Sequence, residues 1–235
     1  MLESEIVATA RVAGGGEFVL VRRDQEWIVR VDGRTLMSSR MHDSEEALAE
    51  YALERVDEPG AVLVGGLGLG FTLRAVLDRV PADTTVTVAE LVPELVGWNH
   101  EYLAALHERA LDDPRCEVVV GDVLDTIRAS RGAFDAILLD VDNGPVALSQ
   151  ADNQRLYSES GVRACRAALR AGGVLSVWSA GPSPRYERRL VNAGFEVDVV
   201  RVRAREGSRA RHVLFLATCS SDAARSRPYS RARER

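Results

Sequence analysis

The chain of 235 residues contains no lysine; all 30 of its basic residues are arginine. That absence excludes a P-loop, whose lysine reaches the nucleotide phosphates, and Schiff-base chemistry on a side-chain amine. Cysteine is scarce. Cys116, Cys165 and Cys219 are odd in number, far apart and without histidines at ligand spacing, so neither a disulfide framework nor a zinc site is indicated, and no metal is expected. No apolar run approaches the roughly 20 residues of a membrane-spanning helix. The opening MLESEIVATARVAGGG is acidic and lacks the apolar centre of a signal peptide. The expectation is a cytoplasmic protein that contacts no membrane. A net charge of −5 with no long basic face also sets nucleic acid aside as a partner.

What is present is a globular composition, 46% hydrophobic and 28% charged, long enough for one α/β domain with a small appendage. The chain is organised around AVLVGGLGLGFTLRAVL, Ala61 to Leu77, which reads as an apolar strand, a glycine-rich turn and a helix. Gly66, Gly68 and Gly70 leave the turn without side chains, so backbone amides and a helix start can approach a ligand. A dinucleotide fingerprint needs glycine at its sixth position, which counted from Gly66 is Phe71. What remains is Gly-x-Gly-x-Gly after a strand, the form used by S-adenosylmethionine enzymes. The alternative is an αβ turn with no ligand.

Residues 5–39 read as short strands punctuated by Asp24-Gln25 and Asp32-Gly33, an antiparallel hairpin unit too small to bury its own core. Asp43 or Ser44 then caps a helix from Glu45 to about Val56. From Ala61 strands alternate with helices, the helices expected at Gly70–Arg79, from Pro93, at Asp122–Ala129, Asn153–Leu169 and Pro184–Ala193. FEVDVVRVR and HVLFLAT close the series as an antiparallel pair. The pattern predicts an α/β fold: a seven-stranded, mostly parallel methyltransferase-type sheet, Rossmann-like, with a small N-terminal antiparallel unit. The expected divisions are 1–42 for that unit, 43–218 for the α/β domain and 219–235 for an Arg-rich mobile tail.

In an open parallel sheet the ligand lies beyond the carboxyl ends of the strands. Glu90 closes TVTVAE, placed for a carboxylate to accept from ribose hydroxyls, with Leu91 beside it as an apolar surface for adenine. The alternative for Glu90 is simple charge ahead of a helix start at Pro93. Asp122 follows CEVVVG, where it suits the adenine amino group with the Val123 amide donating to the ring; it equally suits a helix N-cap, and the two roles are compatible. FDAILLDVDNGP delivers Asp140 and Asp142 to the cleft. A carboxylate there attracts a cationic sulfonium and accepts the proton an incoming amine must lose, whereas Asp142 and Asn143 could equally serve only the turn.

Taken together, VLVGGLGLG, TVAELVPELVGWN, DDPRCEVVVGDVLDTI, FDAILLDVDNGP and LRAGGVLSVWSA resemble the spermidine synthase (polyamine aminopropyltransferase) family, over roughly Val29 to Ala180. The resemblance implies that Glu90 holds ribose, Asp122 and Val123 hold adenine, and Asp140 faces the amine. The chain differs from the family pattern at Gly68, where the glycine loop normally carries an acid, and at Leu36, where a glutamine contacts the cofactor tail. It also has a shorter turn after Asp140 and lacks a tyrosine early in the helix after the hairpins.

The expected function is transfer of an aminopropyl or methyl group from decarboxylated or intact S-adenosylmethionine to a small-molecule nucleophile, an amine above all. A homodimer through the N-terminal edge strands, or a complex with a partner subunit, is expected. The competing expectations are a cofactor-independent substitution or cyclisation enzyme and a non-catalytic scaffold. His42, Asp43, Glu45 and Glu46 are placed to cover the pocket or to form a solvated first turn. Trp98, Trp178 and Tyr157 are expected in the core or pocket wall. His100 and His107 are expected to face solvent, and no role is expected for His212.

Overall fold

The computed structural model describes residues 4–12, 16–141, 144–146, 155–205 and 207–220. Its first unit is an antiparallel meander of β1 (Ser4–Val12), β2 (Gly16–Arg23), β3 (Glu26–Val31) and β4 (Arg34–Ser38), adjacent in that order. Two-residue turns join the last three strands, with Arg23 opposite Glu26 and Val31 opposite Arg34. In the second turn Asp32 (φ 48°) and Gly33 (φ 78°) both take positive φ, the backbone of a type I′ hairpin.

The second unit is a seven-stranded sheet built from β5 (Ala61–Gly65), β6 (Thr85–Glu90), β7 (Cys116–Val120), β8 (Phe134–Leu139), β9 (Leu169–Ser179), β10 (Phe195–Arg203) and β11 (Arg211–Cys219). The spatial order is β10-β11-β9-β8-β5-β6-β7. Only β11 runs against its neighbours, antiparallel to both β9 and β10. The helices are α1 (Asp43–Leu53), α2 (Phe71–Leu77), α3 (Pro93–Glu101), α4 (Val123–Ala129), α5 (Glu159–Ala168) and α6 (Pro184–Asn192). No helix among the described residues is long and apolar enough to cross a membrane.

Strand alternation sorts the core into two layers. Leu63, Ile137 and Leu139 point to the face covered by α4, α5 and α6, while Val62, Val64, Ala136 and Leu138 point to the face covered by α1 and α2. Burial on both faces explains the continuous apolar runs of β5 and β8. The meander does not close a core of its own. Its Phe18, Leu20 and Val29 pack with Leu69 and Phe71 after β5 and with Leu95 and Trp98 of α3, which seats the meander over the glycine turn.

Helix α1 begins earlier than its sequence suggests and ends at Leu53 rather than Val56. The cap position is His42, with no side-chain cap bond, rather than Asp43 or Ser44. The Ser44 hydroxyl is engaged instead with Trp178 and His212. α2 is shorter than Gly70–Arg79, and α5 starts behind a Ser158 cap that accepts from the Gly161 amide. The Asn153 start expected for that helix lies outside the described residues.

Candidate active site

The chain runs from β5 outward to β6 and β7, then returns to β8 on the other side of β5. This reversal makes the crevice between the carboxyl ends of β5 and β8 the place where the fold opens for a ligand. The glycine turn leaves one strand there, and Asp140 leaves the other. The two are tied by the backbone, the Asp140 amide donating to the Gly65 carbonyl at 2.9 Å.

The three glycines of the turn do different things. A side chain on Gly66 would run into the Asp140 carbonyl oxygen, and one on Gly70 would stand 2.6 Å from the His107 ring. Their missing side chains make room for protein atoms. Gly68 borders a pocket, and among the described residues a β-carbon there would meet the Met37 side chain alone, its sulfur at 3.5 Å. Its carbonyl is held from below by the Asn99 amide group at 2.9 Å. Gly65 needs its bareness too, since a β-carbon would lie 2.9 Å from the Val123 and Leu139 side chains.

Glu90 is buried, 6% exposed, at the tip of β6. Its Oε2 accepts from the Leu67 amide and its Oε1 from the Val92 amide, each at 2.8 Å, so one carboxylate braces the glycine turn and the turn into α3 together. Leu91 beside it is 57% exposed, and Val120 at the tip of β7 is 53% exposed. Asp122 caps α4, accepting from the Leu124 amide at 2.8 Å, and Val123 is buried behind it. Exposed apolar side chains thus stand at the tips of two neighbouring strands, next to Glu90 and Asp122 in sequence. Asp140 is partly buried, and its Oδ2 accepts from the Thr72 hydroxyl at 2.6 Å. Asp142 lies outside the described residues.

A pocket of about 240 Å³ continues from Gly68 and Asp140 under the meander. Leu36, Met37 and Ser38 of β4 roof it, and Trp178, Ala180 and His212 form the wall on the β9–β11 side. The start of α1 contributes Met41, Ser44 and Glu45. Burial first, then the charges of Asp140 and Glu46, push the Glu45 carboxyl well above the usual carboxylate range. The Trp178 indole N–H donates to Ser44 Oγ at 3.0 Å, and Ser44 Oγ lies 2.9 Å from His212 Nδ1. An indole can only donate, so Ser44 Oγ accepts from Trp178 and keeps a second lone pair and its own proton for the imidazole. Burial lowers the His212 pKa, which favours the uncharged ring.

His212 therefore belongs to the pocket although its sequence context gave it no role. The expectation that His107 faces solvent is overturned: it is 0% exposed beneath Gly70, its Nδ1 accepting from the Ala110 amide at 3.0 Å. The usable signal was spacing. Leu103, His107, Ala110 and Leu111 recur three and four residues apart, an apolar stripe with histidine inside it. Gly70→Ala should accordingly destabilise the fold by about 2–4 kcal/mol, from left-handed backbone at φ 86° plus the ring contact. Urea unfolding of the purified variant reads this directly.

A mostly parallel sheet with a glycine turn at the strand reversal, and acids at the neighbouring strand tips, defines a Rossmann-like α/β protein. The Spermine/spermidine synthase domain model matches residues 41–194, and the chain belongs to that family. Similar proteins include polyamine aminopropyltransferase 2 of Pseudomonas aeruginosa, 34% identical over 156 residues, covering 64% of this chain and 42% of that one. The polyamine aminopropyltransferase of Aeropyrum pernix is 31% identical over 170 residues, covering 72% of this chain and 50% of its own. The chain thus spans about half the length of the curated relatives it matches. Among solved structures, a spermidine synthase in complex with the transition-state analogue AdoDATO superposes with a TM-score of 0.76 at 22% identity, over 93% of this chain and 75% of that one. The spermidine synthase of Thermotoga maritima gives 0.74 at 21% identity, over 93% and 74%.

Proposed function

We propose that this protein transfers an aminopropyl group from decarboxylated S-adenosylmethionine to a small amine. The observation that carries the reading is the pocket beside Gly68, which presents Glu45 and Asp140 and no arginine among its described lining residues. Such a pocket suits a cationic amine. The nucleoside end fits the neighbouring strand tips: Glu90 would accept from ribose hydroxyls, Leu91 would lie against the adenine ring, and Asp122 with the Val123 amide would address its edge. Gly68 is the glycine whose bare face borders the pocket, and it allows the cofactor tail to pass.

The bound cofactor supplies a carbon activated by positive sulfur. Asp140, oriented by Thr72, accepts the proton that the amine gives up as its nitrogen bonds to that carbon and the carbon–sulfur bond breaks toward sulfur. The products are the lengthened amine and methylthioadenosine. The apolar wall of Trp178, Met41 and Leu36 would exclude water and favour attack by the held amine.

Calorimetric titration with decarboxylated S-adenosylmethionine and methylthioadenosine, followed by mass analysis of a reaction with a mixture of small diamines, tests the reading. Binding of both ligands and an acceptor mass gain of one aminopropyl unit are expected. Failure of methylthioadenosine to bind would remove the nucleoside site and favour a scaffold or a cofactor-independent enzyme. Methylated products formed from intact S-adenosylmethionine would replace aminopropyl transfer with methyl transfer.

A further inference from the structure

Position 68 brings no side chain to the pocket, and the roof residue at position 36 is leucine, so neither offers charge to a cofactor tail. The anionic groups come from elsewhere. Asp140 enters from the tip of β8, and Glu45 enters from the first turn of α1. One Asp140 oxygen accepts from Thr72. The Glu45 side chain has no hydrogen-bond or ion-pair partner among the described residues, although its neighbours on the helix do: Ser44 engages Trp178 and His212, and Glu46 engages His42 at 2.7 Å. A partly buried carboxylate whose side chain has no partner is costly unless a ligand answers it.

We infer that Glu45 is the specificity-determining residue that makes this pocket select the decarboxylated cofactor over the intact one, by pairing with the ammonium of its three-carbon tail. The inference rests on the aminopropyl reading above. Intact S-adenosylmethionine carries the same ammonium together with a carboxylate, and that carboxylate would meet Asp140 and Glu45 with no described arginine in the lining to answer it. Removing the carboxyl group removes the repulsion and leaves the cation. Selection thus comes from an adverse charge pair as much as from a favourable one.

Glu45 has a second property that a merely structural side chain would lack. Burial and the facing Asp140 raise its pKa in the absence of a cation, and an arriving ammonium lowers it again. The other titratable groups around it are Glu46, paired with His42, and His212, bonded to Ser44 with its pKa lowered by burial. Binding of the amine-bearing tail should therefore release a proton from Glu45. Methylthioadenosine, which has no ammonium, should release none.

The test is calorimetry of the full chain and Glu45→Gln with decarboxylated S-adenosylmethionine, S-adenosylmethionine and methylthioadenosine, each in two buffers of different ionisation enthalpy. Glutamine matches the neutral form of Glu45 in size and charge, so the variant should fold as the parent does. Its affinity for the decarboxylated cofactor should fall about 10- to 100-fold, its preference over the intact cofactor should shrink by a similar factor, and the buffer-dependent heat should vanish. Unchanged preference, or unchanged proton release, overturns the assignment. Methylthioadenosine binding serves as the separate control. If it is retained while the preference is unmoved, only the role of Glu45 falls; if it is absent in both proteins, the nucleoside reading falls and this inference with it.

Discussion

Asp140→Asn should lower turnover about 10²- to 10⁴-fold while leaving methylthioadenosine affinity nearly intact. The backbone at this position is secured independently of the charge, because the Asp140 amide bonds the Gly65 carbonyl and the residue follows directly on the buried strand β8. Asparagine also retains a carbonyl oxygen that can accept the Thr72 hydroxyl, now bonded to Asp140 Oδ2 at 2.6 Å. The substitution therefore removes the proton acceptor and its negative charge without removing the tether. The affected step should be the chemical one, so single-turnover rates ought to fall with kcat. A variant that turns over like the parent would refute the role of Asp140 as base, and one that also loses methylthioadenosine would show that the residue shapes the nucleoside site instead.

The parts of this site written in contiguous sequence were legible before any coordinates. The glycine turn, the tips of β6, β7 and β8 and the apolar runs between them are local signals, each set by neighbours within a few residues. The reversal of strand order then brings Gly66 and Asp140 to adjacent strands, and a general rule about parallel sheets anticipates that. The pocket wall obeys no such rule. Ser44 and His212 stand 168 residues apart and meet only because β11 is inserted between β9 and β10. With no pattern of its own to mark it, His212 read as an ordinary strand start.

Glu45 was legible only as one of four alternatives, and His107 not at all, for different reasons. Acids in the first turn of a helix are commonly solvated, so nothing in the sequence sets Glu45 apart from His42, Asp43 and Glu46; only the start of α1 beside Asp140 places Glu45 in the pocket. His107 was misjudged on polarity, although the small residue it packs against, Gly70, sits in the most conspicuous motif of the chain. Gly70 attracted a ligand-binding reading because glycine marks close approach, and close approach is what it provides, toward a buried imidazole.

Glu90→Gln should cost about 2–4 kcal/mol in stability and about 100-fold or more in nucleoside affinity. The first figure follows from the hydrogen bonds alone. Both oxygens of the buried carboxylate accept from backbone amides, Leu67 on one side and Val92 on the other. Glutamine supplies one oxygen and one amino group, so in either orientation an N–H group points at a backbone N–H group. The glycine turn and the turn into α3 lose their common brace, and urea unfolding measures the loss. The second figure belongs to the ribose role, and a substrate change isolates it. Removing the 2′- or 3′-hydroxyl from methylthioadenosine should weaken binding to the parent protein and make little further difference to the variant, since the partner of those hydroxyls is gone. If the variant is destabilised but still distinguishes the deoxy ligands as strongly as the parent, Glu90 is a turn brace only, and recognition of ribose must be assigned to another strand tip.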